Sequence, residues 1–348
     1  MKICMILPAL SIGGVERVVI NLSEYFSKNG HEVHIIIFTN IQDFKLNNNI
    51  YLHVLKKKNS KELKFLINFI EKDNKKFDYI YSHFLGNLIK KANLDNRYYI
   101  FHSAISQKLN KGFFLSRFIR KIRLKYRYNN ENIITVSDGI KEDFLKLGFK
   151  PKSIHTIYNP FDFEYIKHQA KKIDDSIPNE EYIVHVARFD EVKRHDILLK
   201  SFSKAQLSCK LILVGEGSKE KTQNIITLIN QLKLEKQVIM VGNKKNPFPL
   251  IKNAKQLILS SDFEGFGMVL VEALILNTPI VSTNCKSGPS EIMKGNLANY
   301  LVPTRDVDSL ALKMYDTYHN PPLINQNDLK RFDTDIIGKK YLSLKEKN

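Results

Sequence analysis

Short apolar runs alternate along the chain with longer segments in which apolar residues recur every three or four positions, and the alternation runs through twice. A run apolar at every position reads as a strand buried on both faces, and the wider spacing as an amphipathic helix. In the first pass Lys2–Leu7 is predicted as a strand. The turn Ser11-Ile12-Gly13-Gly14 opens a helix over Val15–Ser27, with Val15, Val18, Val19, Leu22 and Phe26 on one face and Gly30 as its stop. Further strands are predicted at Glu32–Phe38, Tyr51–Val54, Tyr79–Ser82, Tyr98–His102 and Ile133–Val136. Helices are predicted at Lys61–Asp73 and Phe113–Tyr128, and another runs from a Ser137 cap to Leu147 before Gly148. A strand at Ile154–Tyr158 leads to the turn Asn159-Pro160, and the polar stretch Lys167–Glu181 reads as a linker.

The second pass predicts strands at Tyr182–Ala187, Lys210–Val214, Val238–Val241, Gln256–Ser260 and Pro279–Thr283. Its helices are Asp196–Ala205, Glu220–Leu232, a short one near Pro249–Asn253, one from Gly267, and a late one over Asp306–His319 capped by Asp306. Strands alternating with helices predict parallel, doubly wound sheets, here an α/β fold of two Rossmann-like domains over residues 1–165 and 166–329. Such sheets bind ligands beyond the carboxyl ends of their strands.

Length agrees with two cores: 348 residues exceed what one sustains. No run of about 20 apolar residues occurs, so no transmembrane helix is expected. The apolar start breaks off at Pro8, ahead of Gly13, Gly14 and Glu16, and reads as a buried strand rather than a signal peptide. Cys4, Cys209 and Cys285 lie far apart with no CxxC, which suits a reducing cytoplasm and argues against structural zinc. The formal charge is +18, and residues 1–165 hold 27 Lys/Arg against 15 Asp/Glu, so the basic excess is concentrated in the first half. Such an excess asks for an anionic partner: nucleic acid, membrane or substrate.

The candidate chemistry falls at predicted strand ends. Glu264 and Glu272 flank Gly265-Phe266-Gly267-Met268, where a strand turns through glycines into a helix. The exposed N–H groups of such a helix start suit a phosphate, and a carboxylate accepts hydrogen bonds from two adjacent hydroxyls. Phosphate donors between two diol-binding carboxylates fit a nucleoside diphosphate sugar. Arg188 ends the first strand of the second domain and Lys193 follows; two cations on a short loop neutralise a diphosphate and stabilise its departure. Gly13-Gly14 precedes Glu16-Arg17, Gly215-Glu216-Gly217 follows another strand, and Ser287-Gly288-Pro289-Ser290-Glu291 follows the strand at 279–283.

In this order, each after its own strand, these pieces resemble a retaining glycosyltransferase of the GT-B fold, in glycosyltransferase family 4, over nearly the whole chain. The resemblance implies two domains facing a cleft, with residues 330–348 returning to the first as a helix. It implies that Gly13 and Gly14 approach the donor diphosphate and that Arg188 and Lys193 bind it. Glu264 would hold hydroxyls of the donor sugar. Gly215 and the N–H groups near Phe266, Gly267 and Met268 would contact the donor, and Glu272 would hold the ribose hydroxyls. His102 matches the family's active-site histidine, near the anomeric centre, with His83 as its competitor at the end of the preceding strand. No metal or other cofactor is implied. Asp174-Asp175 lies in the polar linker and is expected to be solvated.

Between Lys108 and Arg127 stand eight basic residues and no acid: Lys108, Lys111, Arg117, Arg120, Lys121, Arg123, Lys125 and Arg127. Leu115, Phe118, Ile119, Ile122 and Tyr126 recur among them at helical spacing. Such a basic amphipathic helix suits docking on an anionic inner leaflet or contact with a phosphorylated lipid acceptor; the alternative is a helix packed on the sheet with its cations in water. The expectation is a cytoplasmic, peripherally membrane-associated enzyme that moves a hexose or N-acetylhexosamine from a nucleoside diphosphate, UDP foremost, to a lipid-linked glycan of lipopolysaccharide, O-antigen or capsule. Its rivals are a nucleotide-sugar epimerase or hydrolase on the same architecture and, prompted by charge, nucleic-acid binding. Stacking strips of aromatic and basic residues, which that last reading needs, are not evident.

Overall fold

The structure, a computed structural model, describes residues 1–11, 13–44, 46–72, 75–109 and 113–345. The chain forms two compact units: Met1–Phe161 with Phe332–Asn348, and Asp162–Arg331. Each holds one all-parallel sheet.

The first unit has seven strands: β1 (Lys2–Ile6), β2 (Glu32–Ile37), β3 (Ile50–Val54), β4 (Tyr79–His83), β5 (Arg97–Phe101), β6 (Asn132–Thr135) and β7 (Ser153–Thr156), in the order β3-β2-β1-β4-β5-β6-β7. The order reverses at β1, so β1 and β4 are the neighbours at whose carboxyl ends a doubly wound sheet binds its ligand. β1 and β4 are apolar or aromatic along most of their length and buried because both sheet faces are covered.

The chain end is fastened to this unit by tyrosines of β4. Tyr79 donates to the Leu342 carbonyl at 2.6 Å and Tyr81 to the Tyr341 carbonyl at 2.9 Å. Phe332 and Tyr341 are fully buried, each contributing roughly 2–3 kcal/mol of apolar burial. Phe161 N–H donates to the Phe332 carbonyl and Thr334 N–H to that of Phe161, so both crossings of the chain between units start from one paired point. The helix at the chain end runs Thr334–Leu342.

The second unit has six strands: β8 (Tyr182–Val186), β9 (Lys210–Val214), β10 (Val238–Gly242), β11 (Leu257–Leu259), β12 (Ile280–Thr283) and β13 (Leu301–Val302), in the order β10-β9-β8-β11-β12-β13. Its switch point lies between β8 and β11. One core cluster joins Ile183, Leu211 and Ile258 of the strands to Leu198 and Phe202 of the helix His195–Ala205 and Leu310 and Met314 of the helix Val307–His319.

Two expectations fail here. The stretch assigned to a linker, Lys167–Glu181, begins inside a helix, Phe163–Gln169, started by Asp162, whose side chain accepts from Tyr165 N–H. Asp174 is not solvated: it accepts from Ser176 and lies 3.0 Å from the Lys244 ammonium, which fixes the segment to the second unit. The predicted helix end at Asp73 lies outside the described residues, as does Ile12 of the opening turn; the helix before β4 is Ser60–Ile70.

Candidate active site

In the second unit, two loops leave the switch point side by side. After β8 the chain runs through Arg188 into a short turn, Glu191–Lys193; after β11 it runs through Ser260–Glu264 to the helix Met268–Ile275. They are stitched together. Ser260 Oγ donates to the Lys193 carbonyl at 2.8 Å, and Asp262 N–H donates to the Val192 carbonyl at 2.8 Å. Arg194 reaches from one loop to Asp262 on the other at 3.1 Å and grips Asp196 with two nitrogens, and Arg305 adds a second cation on Asp262.

Glu264 sits within this frame, 9% exposed. Its Oε1 takes the Lys193 ammonium at 2.6 Å and the Ser261 hydroxyl at 2.7 Å. Ser287 Oγ donates to the Glu264 carbonyl at 2.7 Å, and Thr283 Oγ1 donates to the carbonyl of Ser261 at 2.6 Å, so side chain and backbone are both held. Among the described residues nothing donates to Glu264 Oε2. A carboxylate clamped through one oxygen keeps the lone pairs of the other for a hydroxyl that enters.

Glycines set the close approaches. Gly288, at φ +94, lies so near the Phe266 carbonyl that a Cβ would collide with it; the loop carrying Ser287 can reach Glu264 only with glycine there. Gly215, at φ +146, abuts the Ala187 carbonyl, and Phe189 N–H donates to the Glu216 carbonyl at 2.8 Å, which brings Gly215-Glu216-Gly217 beside Arg188. Gly267 caps the helix Met268–Ile275 in the left-handed conformation, and no side chain caps that helix start. Buried Phe266 and partly exposed Met268 flank it, and Glu272, partly exposed, stands in its second turn.

The two cations have different surroundings. Lys193 is committed to Glu264, with two of its three ammonium protons left for other acceptors. Arg188 is exposed and forms no ion pair among the described residues, so it is the freer of the two to meet a phosphate. Beneath the loops His185 and His195 are buried, rings 4.9 Å apart. His185 Nδ1–H donates to the Ile258 carbonyl at 2.8 Å. Burial first of all pushes the imidazole of His185 down to about 4 and that of His195 down to about 3, so both stay neutral. A cavity of about 640 Å³ opens nearby against Phe189, Arg194, Ile225 and Phe263, but neither Lys193 nor Glu264 lines it.

In the first unit, Gly13 is extended and precedes the helix Gly14–Lys28, which has no side-chain cap; Gly14 is exposed. A Cβ on Gly13 would meet the Glu16 carboxylate, so the small residue keeps this helix start open. At the ends of β4 and β5, His83 Nδ1 and His102 Nε2 lie 2.8 Å apart with their rings stacked at 5.1 Å. The two residues that competed for one role thus form a pair. Burial pushes His102 down to about 3 and His83 well below its ordinary value. Phe84, at φ +65 in a region costly for a bulky residue, sets its ring 5.5 Å from His102.

The basic helix spans Phe114–Tyr128 and contains Arg117, Arg120, Lys121, Arg123, Lys125 and Arg127. Lys111 lies outside the described residues, and Lys108 belongs to the preceding helix, Ile105–Leu109. The apolar stripe does not pack on the sheet: Leu115, Phe118, Ile119, Ile122 and Tyr126 are exposed, and Phe113 at its start is 90% exposed. Tyr128 anchors the helix end, edge-on to Tyr99 and Phe101. Phe65 (73% exposed) and Phe69 on the helix Ser60–Ile70 add apolar surface that sequence periodicity did not single out. Among the described residues no helix is long and apolar enough to cross a membrane.

Sequence reasoning singled out the segment Ser287–Glu291 but missed Ser261 and the Arg194–Asp262–Arg305 group. A polar Ser260-Ser261 directly after an apolar strand was the available signal for the first; the others become neighbours only through the fold.

Residues 12–165 match the family model described as Glycosyltransferase Family 4, and residues 167–333 the model described as Glycosyl transferases group 1. A Campylobacter jejuni relative is named N-acetylgalactosamine-N,N'-diacetylbacillosaminyl-diphospho-undecaprenol 4-alpha-N-acetylgalactosaminyltransferase; it is 30% identical over 51% of this chain and 48% of its own. An Escherichia coli relative named lipopolysaccharide 1,6-galactosyltransferase is 30% identical over 50% of this chain and 48% of its own. The chain thus spans about half the length of these curated relatives. Among solved structures, Anabaena HepE in complex with UDP and glucose superposes with a TM-score of 0.77 at 18% identity, covering 100% of both chains, which establishes the shared fold.

Proposed function

The chain belongs to the GT-B glycosyltransferases of family 4, and on that premise we propose that it transfers a hexose or N-acetylhexosamine from a UDP-sugar to a lipid-linked glycan. The observation that carries this reading is Glu264, clamped through Oε1 by Lys193 and Ser261 with Oε2 left free, just ahead of an uncapped helix start. Oε2 accepts from hydroxyls of the donor sugar, and Glu272 serves the ribose. The diphosphate lies against the N–H groups at Gly267 and Met268, with Arg188 and the remaining protons of Lys193 on its oxygens. As the bond from the anomeric carbon to the diphosphate breaks, negative charge grows on the leaving UDP, and these cations stabilise it without a metal. Attack by the acceptor from the same face retains the anomeric configuration, and His102 is the residue that the resemblance to the family assigns to that step.

The acceptor side rests on the first unit. Six cations and an exposed apolar stripe on the helix Phe114–Tyr128 match an anionic bilayer that carries the acceptor. The relatives named for an undecaprenol-linked acceptor and for lipopolysaccharide support this choice, within lipopolysaccharide, O-antigen or capsule assembly.

The test is a donor screen by mass spectrometry. Panels of UDP-hexoses and UDP-N-acetylhexosamines are offered with undecaprenyl-diphosphate glycans and lipopolysaccharide core. Expected is an acceptor heavier by one sugar residue, with UDP released in equal amount. Free sugar or an epimerised donor with an unchanged acceptor would overturn the reading in favour of a hydrolase or epimerase.

A further inference from the structure

The order β3-β2-β1-β4-β5-β6-β7 sends the connections after β3, β4 and β5 across the sheet in one direction, and the connection after β1 in the other. Crossovers between parallel strands are right-handed, so direction decides which face a helix covers. The helices Ser60–Ile70, Gly86–Ala92 and Phe114–Tyr128 therefore share one face of the first unit's sheet. The packing agrees: Gly86–Ala92 packs on both of the others, while Gly14–Lys28, on the opposite face, packs on the chain-end helix Thr334–Leu342.

A single helix layer turns its outer surface one way. On Ser60–Ile70, Phe65 and Phe69 stand one turn apart and both are exposed, while Leu63 and Ile67 are buried against the sheet side. Phe118 and Ile122 repeat that spacing, also exposed, on Phe114–Tyr128. Apolar side chains exposed in pairs, on two helices of one layer, mark an interaction surface rather than scattered surface residues.

Charge says what covers it. The layer carries two cations on Ser60–Ile70, two on Gly86–Ala92 and six on Phe114–Tyr128, against one acid, Glu62. The exposed run Lys56-Lys57-Lys58 leads into the first of these helices. A second copy meeting this surface face to face would set cations against cations. A nucleic acid would pair the cations with phosphates and leave the apolar side chains without a partner. An anionic bilayer takes both, with the cations at the headgroups and the apolar side chains in the acyl boundary.

We infer that Ser60–Ile70 is a second membrane-docking element, which inserts Phe65 and Phe69 alongside Phe114–Tyr128 so that the first unit lies with this sheet face flat on an anionic bilayer. The inference deepens the reading of a lipid-linked acceptor and rests on it. One docked helix leaves the unit free to roll about the helix axis; two in one layer fix it. The strands of a sheet lying flat run along the bilayer, so the carboxyl ends of β1 and β4 open sideways, where a saccharide standing off a lipid can reach them.

The chain has no tryptophan, so one introduced tryptophan reports its own surroundings alone. Three full-length variants are made: Phe65→Trp, Phe118→Trp and, as the control on the opposite face, Ile336→Trp at an exposed position of Thr334–Leu342. Each is mixed with vesicles of phosphatidylglycerol and phosphatidylcholine, with and without bromine on the acyl chains. Expected for Phe65→Trp and Phe118→Trp are a blue shift and loss of about half the emission or more to brominated lipid, as for rings about 5–10 Å deep, and neither for Ile336→Trp. The double variant Phe65→Ser, Phe69→Ser should bind the same vesicles about tenfold more weakly or worse, with its thermal unfolding unchanged.

Quenching of Phe118→Trp with Phe65→Trp unquenched overturns the inference and leaves docking by Phe114–Tyr128 in place. Quenching of Ile336→Trp as well overturns the flat orientation. A blue shift of Phe65→Trp that grows with protein concentration in the absence of lipid overturns the inference in favour of a second copy. No quenching in any variant overturns membrane docking as a whole and leaves sugar transfer to the donor screen. The expected pattern in a chain that transfers no sugar would support the docking and overturn the proposed function alone.

Discussion

Four histidines that the fold buries as neutral rings make this protein acid-sensitive. Burial is the leading cause at His83, His102, His185 and His195, and all four shift downward, His185 to about 4 and His102 and His195 to about 3. An unfolded histidine titrates near 6.5. Above that pH both states are neutral, and the stability these groups allow is fully present. As pH falls below it, the unfolded chain takes up protons that the folded chain refuses until about 4 or 3, so stability is lost across that window. The loss is roughly 1.4 kcal/mol per pH unit for each histidine. His34 and His53, also shifted downward first by burial, act in the same direction. Urea unfolding should therefore show a lower midpoint at pH 5.5 than at pH 7.5, with a smaller difference in His195→Gln. Equal midpoints at the two pH values would contradict the assignment of these rings as neutral.

The helix Phe114–Tyr128 shows what periodicity can and cannot tell. Spacing of Leu115, Phe118, Ile119, Ile122 and Tyr126 located the helix almost to the residue, but it could not say whether the stripe was covered. The structure leaves it open, and a 15-residue helix with an exposed apolar face gains little stability alone in water. On an anionic bilayer each cation contributes about 1 kcal/mol. Changing Arg120, Lys121, Arg123 and Lys125 to Gln should thus lower partitioning onto vesicles containing anionic lipid by a hundredfold or more, on the order of those four contributions. Cosedimentation that is unchanged would remove the docking role. Other elements were hidden for plainer reasons. Gly86–Ala92 and Ile105–Leu109 are too short to show a helical period, and β13 has two residues. Phe163–Gln169 was lost because Lys167 and His168 look like linker, although Asp162 signals a cap. The long buried strands were legible because a parallel sheet needs apolar residues on both faces.

At the scale of the molecule, two doubly wound units were readable from the repeated alternation, and the order of motifs marked the loops at their switch points. Which side chains meet was not readable. Lys193 stands 71 positions before Glu264, and Ser287 23 after it; only the order β8-β11-β12 makes them neighbours. That assembly turned an isolated carboxylate into a clamped one with a free oxygen, and the proposed chemistry depends on it. The decisive measurement is the rate of sugar transfer from a UDP-sugar to a lipid-linked acceptor by the unsubstituted chain and by Glu264→Ala, with Glu264→Gln as the nearly isosteric control and thermal unfolding followed in all three. The account predicts a fall of about a hundredfold or more in Glu264→Ala while the chain stays folded. Undiminished transfer by folded Glu264→Ala would contradict it.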